Sequence, residues 1–233
     1  MGADRLLVFA RRPAAGLREM RLTPPLAPDD AAAVYEACLR DVLALAARER
    51  ARIELWYEVD GRAREYFETE FAHLPRAEQV PGPLGERLHD AFAWSFADET
   101  ERTVVVTGES PTIPDDVLTA AFTDLREVDA VLGPTRSGRP YLIGLRAASW
   151  PRAATLLREV AWGTPSCLRS AVECANAADL VLRVLPGWYG IEGPEDLARA
   201  RDDARPDSHL ARWLASEAGR RYVAPAAGGP DRR

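Results

Sequence analysis

The chain has 233 residues, enough for one large α/β domain or two small ones, and its 47% hydrophobic and 28% charged residues are an ordinary balance for a globular protein. A net charge of −6 argues against general nucleic-acid binding, and all 30 basic residues are Arg, so every cationic contact must come from a planar guanidinium. No apolar run is long enough for a transmembrane helix, the N-terminal stretch lacks a signal-peptide layout, and Cys38, Cys167 and Cys174 lack CxxC spacing; a cytoplasmic protein without disulfides or zinc is expected.

In chain order, Leu6 to Ala10 reads as a short buried strand. It opens into a Pro/Gly loop carrying Arg11, Arg12, Arg18 and Arg21 around Gly16, and Pro24, Pro25 and Pro28 keep the next segment extended. Asp29 or Asp30 then caps a helix from Ala31 to about Arg48, whose Val34, Cys38, Val42 and Leu45 share one face. Arg52 to Val59 alternates like a strand, Gly61 to Glu70 is a short helix, and Ala77 to Val80 a brief strand. After Gly82-Pro83 a helix runs from Leu84 to about Ala97.

Thr103 to Glu109 is a run of β-branched residues too apolar to be half exposed, hence a central strand covered on both faces. A helix from Asp115 to Leu125 and a buried strand from Val128 to Gly133 follow. Pro134 to Pro140 is a turn-rich loop from which Tyr141 to Leu145 returns as a strand. Helices are expected over Pro151–Val160 and Pro165–Ala177, a late strand over Leu180–Leu185, a helix with Pro194 in its first turn, and a last helix from Ser208 to Arg220. Strands alternating with helices mean βαβ units and a largely parallel sheet. With no repeat or linker, one domain over residues 1–222 is expected, with an Ala/Gly/Pro-rich tail over 223–233 reading as disordered.

Ligands in open α/β sheets collect outside the carboxyl ends of the strands. Glu109 sits at such an end, where it can ligate Mg²⁺ or hold a ribose hydroxyl, or simply interact with the following helix. The arginine loop after Ala10 is either a diphosphate cradle or a solvated charged loop, and spacing does not separate the two. Gly85-Glu86 reads on its own as a helix start. Glu192, Glu195 and Asp196 form a second acidic group or the caps of the next helix. Trp162 and the Trp188-Tyr189 pair either stack on a ligand or close the core.

Several blocks occur in a telling order: Leu7 to Arg11 with Pro13, Gly16 and Arg21-Leu22; Gln79, Gly82 and Leu84 to Leu88; Val105 to Pro114; Leu132-Gly133-Pro134 with Gly138 and Tyr141 to Leu145; Trp162-Gly163-Thr164; and Leu185-Pro186 through Tyr189 with Pro194 to Leu197. Over about residues 5 to 200 the chain thereby resembles a bacterial GT-A-like transferase family of unknown function, within the glycosyltransferase A superfamily and distantly related to molybdenum-cofactor and 2-phospholactate nucleotidyltransferases. The resemblance implies a single GT-A/Rossmann-like α/β domain with a mostly parallel central sheet. It implies nucleotide and phosphate contacts from Ala10, Arg11, Gly16, Arg21, Gly85 and Glu86, and Mg²⁺ or Mn²⁺ at Glu109 and Glu192. It also implies an acceptor pocket shaped by Ser137, Gly138, Arg139, Tyr141 and Trp162, and a nucleotide or nucleotide-sugar as ligand.

The chain departs from that family at its polar positions. Glu19 stands where a lysine is usual, Pro83 and Glu109 each where an aspartate is usual, Ser137 to Pro140 replaces aspartate-glycine-glycine-tyrosine, and Gly190-Ile191-Glu192 replaces aspartate-x-aspartate. Two functions of different class follow: a transferase using a nucleotide-activated donor, or a catalytically degenerate module binding a nucleotide or a protein partner. A third use of the site, for another anion held by Arg136 and Arg139, shares the same loop.

Overall fold

The structure is a computed structural model that describes residues 3–15 and 22–223. The first half of the chain lays down β1 (Ala3–Ala10), α1 (Pro28–Ala46), β2 (Arg52–Tyr57), α2 (Ala63–Glu70), β3 (Arg76–Glu78), α3 (Leu84–Ala97) and β4 (Thr100–Thr107). The second half adds α4 (Val117–Asp124), β5 (Ala130–Gly133), β6 (Leu142–Arg146), α5 (Trp150–Glu159), α6 (Cys167–Ala177), β7 (Leu182–Val184), α7 (Pro194–Asp203), α8 (His209–Ala215) and α9 (Glu217–Val223). The strands form one seven-stranded sheet in the order β3-β2-β1-β4-β6-β5-β7. All neighbours pair in parallel except β6, which runs antiparallel to both β4 and β5.

Period-2 alternation along the central strands separates two cores, one on each face of the sheet. Leu6, Val8, Val104 and Val106 face the core built with α1, α4 and the C-terminal helices, while Leu7, Phe9 and Val105 face the one built with α3, α5 and α6. β4 is therefore covered on both faces, as its β-branched run predicts, although it begins at Thr100 rather than Thr103. Among the described residues no helix is long and apolar enough to cross a membrane, and Cys38, Cys167 and Cys174 are all unpaired.

The expected single helix from Ser208 to Arg220 is in fact two. Ser216 takes an extended conformation, donates its hydroxyl to the Trp213 carbonyl and accepts the Gly219 amide, so it ends α8 and caps α9 in one residue. α9 runs on to Val223, and residues 224–233, the rest of the expected tail, lie outside the described residues. The start of α8 is fixed from a distance: buried Asp41 on α1 accepts the His209 and Leu210 amides at 2.7 and 2.8 Å. That tie carries no local sequence signal.

Asp129 locks β5 to its neighbours. Its buried carboxylate accepts the Val181 amide at 2.9 Å and Arg146 Nε at 3.0 Å, with Arg152 close by. Burial pushes the Asp129 carboxyl upward, but the Val181 amide and the two guanidinium groups outweigh it and hold the carboxyl below its usual value. A folded-state value below the unfolded one means the stabilisation is present above the unfolded value of about 3.9 and is lost as pH falls through the folded value. Asp129→Asn is expected to lower stability at neutral pH by about 1–3 kcal/mol, because Arg146 loses its charged partner. Urea midpoints followed from neutrality into acid should show a shallower acid decline in the variant than in the wild type.

Candidate functional site

The carboxyl ends of β1, β2, β3 and β4 deliver Arg11, Glu58, Gln79 and Glu109 to one side of the sheet. There they line a cavity of about 520 Å³, a size suited to one nucleotide-sized ligand. Its opposite wall comes from the start of α3, the 160–163 segment after α5, the loop after β5, and Gly190 to Glu192.

Arg11 leaves β1 directly into this cavity and is buried. Its backbone N–H donates to the Tyr35 hydroxyl at 3.0 Å, its guanidinium lies over the Tyr35 ring at 4.7 Å, and Nη2 is 3.2 Å from Glu109 Oε1. Burial, and then the Glu109 charge, push the Tyr35 hydroxyl far above the usual tyrosine value, so it stays protonated. Glu109 is fixed through its backbone, because its carbonyl accepts the Ile191 amide at 2.7 Å. A Cβ at Gly190 would come within 3.3 Å of Glu109 Cβ, so the two segments are packed closely.

A second pair sits beside the first. Arg87 donates to Glu58 and, at 3.0 Å, to Gln79 Oε1, while the Gln79 amide donates to the Trp56 carbonyl at 2.7 Å. A third pair closes the far wall, where Arg158 Nε meets both Glu86 oxygens at 3.0 and 3.1 Å. Arg158 also reaches His89 Nδ1 at 3.2 Å, and burial together with the Arg158 charge lowers the His89 pKa. The first turn of α3 opens on the cavity with no side-chain cap, its amide dipoles favouring an anion. Gly85 is required there for packing, since a Cβ would lie 2.4 Å from the Leu157 carbonyl that Trp162 Nε1 also binds, at 2.6 Å.

The structure brings together Ala10, Arg11, Gly85, Glu86, Glu109, Arg139, Trp162 and Glu192 of the residues singled out in the sequence. Gly16 and Arg21, with Arg18 and Glu19, lie outside the described residues. Arg12 turns away to chelate Asp60 at 3.0 and 3.1 Å. Ser137, Gly138 and Tyr141 are not on the cavity wall. Ser137 supports it from behind by donating to Glu192 Oε1 at 2.7 Å. Gly138, with φ of +80°, lets its loop meet Thr164, and its carbonyl accepts the Gly163 amide at 2.9 Å.

Tyr141 is a core residue rather than part of an acceptor pocket. Its ring fills the space above Gly133, and its hydroxyl donates to the Pro186 carbonyl at 2.8 Å. Trp188 and Tyr189 close the core, stacked at 5.6 Å with the Trp188 indole donating to Thr112. The acids around Glu192 divide: Asp196 caps α7 by accepting the Glu192 and Gly193 amides, while Glu192 joins the cavity.

Glu58, Arg87 and Arg158 were not singled out. Glu58 falls at the end of the expected Arg52–Val59 strand, as Glu109 does at the end of the expected Thr103–Glu109 strand, so the strand-end rule applies to both. Arg158 reaches the cavity only through the packing of α5 on α3.

A divalent cation needs a shell of oxygen donors, usually one or two carboxylates with phosphates and water. Here Glu109 is engaged by Arg11 and Glu192 by Ser137. Among the described residues no group of three or more His, Cys, Asp or Glu side chains is placed to hold a metal ion. The described side chains therefore do not by themselves form a complete cation shell.

Residues 41–164, more than half of the chain, match the model of the DUF2064 family, described as an uncharacterized protein conserved in bacteria. The chain belongs to this family. Among solved structures, this DUF2064 chain is similar to a protein of Desulfovibrio desulfuricans G20 whose own assignment, as a nucleotide-diphospho-sugar transferase, is provisional. The two are 27% identical with a TM-score of 0.86, over 95% of this chain and 99% of that one. More distant likenesses show the fold alone. One is to a CMP:2-keto-3-deoxy-manno-octonic acid synthetase complexed with CTP, 11% identical over 86% of this chain and 98% of that one, with a TM-score of 0.56. Another is to the 4-diphosphocytidyl-2C-methyl-D-erythritol synthase of Anaerococcus prevotii DSM 20548, 13% identical over 86% and 95%, with a TM-score of 0.55. No curated protein matches the DUF2064 sequence. The DUF2064 fold is thus the single α/β domain of the nucleotide-diphospho-sugar transferase type, with its cavity on the carboxyl side of the sheet.

Proposed function

We propose that this protein is a cytoplasmic transferase that binds a nucleotide-diphosphate-activated donor in the strand-end cavity. The observation that carries this reading is the placement of Arg11. A buried guanidinium at the end of β1 shares a nucleotide-sized cavity with the uncapped start of α3, and both favour the same anion. In this reading Arg11 and the first-turn amides of α3 stabilise the charge that develops on the departing diphosphate, in a site whose walls limit water. Trp162 offers an apolar face to the transferred group or the acceptor, and Arg139, on the loop after β5, meets an acidic substituent.

The alternative is a degenerate module that binds a nucleotide or a protein partner without turnover. The observation favouring it is that Arg11, Arg87 and Arg158 each already face a carboxylate, Glu109, Glu58 and Glu86 in turn, so each guanidinium has fewer N–H donors left for a ligand. Calorimetry with UDP, GDP and CDP, followed by incubation with the corresponding nucleotide-sugars and chromatography of the products, separates the two. The transferase reading expects binding and nucleotide release that grows when acceptor candidates are added. Binding without release supports the module. Binding of none of the nucleotides contradicts both nucleotide readings.

A further inference from the structure

We infer that Glu109 is a positioning residue that holds the Arg11 guanidinium at the phosphate end of the cavity, and that this guanidinium stands where a divalent cation would otherwise act. The inference rests on the nucleotide reading above and deepens it. Arg11 is restrained from three directions: Tyr35 accepts its backbone N–H at 3.0 Å, the Tyr35 ring lies 4.7 Å beneath its guanidinium carbon, and Glu109 Oε1 is 3.2 Å from Nη2. Tyr35 itself is 2% exposed and packed in the core, so this seat moves little. Glu109 is equally confined, with its carbonyl bound by the Ile191 amide and its Cβ close against Gly190.

A cation placed on Glu109 Oε1 would face the Arg11 guanidinium at contact distance, and two like charges would then share one carboxylate. Of the other acids lining the cavity, Glu192 is engaged by Ser137, Glu58 by Arg87 and Glu86 by Arg158. A guanidinium carries several N–H donors in one plane, so a carboxylate along one edge and a phosphate along another are compatible. The chain carboxylate, guanidinium, phosphate orients the cation for the ligand as a carboxylate hydrogen-bonded to the far nitrogen of a metal-binding histidine orients that ring. A longer Glu arm suits this task, because it reaches across the end of β1 to Arg11.

The two roles of Glu109 separate in a nucleoside-diphosphate titration of the full chain by calorimetry, run with EDTA and then with Mg²⁺, on wild type, Glu109→Gln and Glu109→Ala. The Gln amide oxygen still accepts from Arg11 but binds a divalent cation poorly. The positioning role expects wild-type binding in EDTA and a gain with Mg²⁺ below about threefold. It expects Glu109→Gln to remain within about threefold of wild type, and Glu109→Ala to lose about tenfold or more. Circular dichroism of both variants confirms that the loss is not unfolding. A gain of about tenfold or more with Mg²⁺ that disappears equally in Glu109→Gln and Glu109→Ala overturns the inference and leaves the nucleotide reading intact. Absence of binding to UDP, GDP and CDP under both conditions overturns the nucleotide reading and takes this inference with it.

Discussion

Arg11→Met is expected to weaken nucleoside-diphosphate binding by about 2–4 kcal/mol, roughly thirty- to a thousandfold, with little change in the fold of the sheet. Arg11 is the cation that three independent features place in the cavity: the end of β1, the ring of Tyr35 and the carboxylate of Glu109. Met keeps the length of the side chain and some of its packing on Tyr35 but removes every donor. The variant also leaves the Glu109 carboxylate without Arg11 at the mouth of the phosphate site, where it repels the ligand. Arg12→Met supplies the control. The next residue along carries the same charge, yet its guanidinium is chelated by Asp60 outside the cavity. Its loss should leave nucleotide affinity close to wild type. Equal losses in the two variants would mean that bulk loop charge, rather than the geometry of Arg11, attracts the nucleotide.

The second large effect is expected from Gly138→Ala. Gly138 adopts φ of +80°, and an added Cβ would sit 1.7 Å from the Thr164 carbonyl oxygen. The obstacle is backbone on a neighbouring loop, not the tip of a side chain, so it cannot step aside cheaply. Left-handed strain and overpacking each cost about 1–3 kcal/mol, and a combined loss of about 2–4 kcal/mol is expected in urea denaturation. If the loop yields locally instead, the Gly163-to-Gly138 hydrogen bond breaks and Trp162 leaves its place on the cavity wall. Tryptophan fluorescence and nucleotide affinity then change while global stability falls less. Wild-type values for stability, fluorescence and affinity together would show that these two loops are not locked.

Much of the fold was legible because its signals are local. The β-branched run of β4, Gly82-Pro83 before α3 and Pro194 at the start of α7 each act through adjacent backbone. The position of the cavity was legible for the same reason, since the carboxyl end of a buried strand is a topological landmark. What escaped depends on contacts between distant segments. Ser216 breaks a helix that the periodicity carries straight through, because its hydroxyl serves two ends at once. Asp41 caps a helix that starts far along the chain. Tyr141 resembles a site residue until Gly133 opens the space that buries it. The pairing of Arg11 with Glu109, and of Arg158 with Glu86, follows from strand order and helix packing, so composition and spacing do not reveal it. The Glu19 departure and the expected contact from Arg21 lie outside the described residues.

The most direct test is a crystal structure of the full chain grown with a nucleoside diphosphate. The diphosphate is predicted to lie in the strand-end cavity, with its oxygens in hydrogen-bond contact with the Arg11 guanidinium and facing the first turn of α3. A nucleotide bound elsewhere on the chain, with the Arg11–Glu109 pair untouched and the cavity without it, would contradict the account.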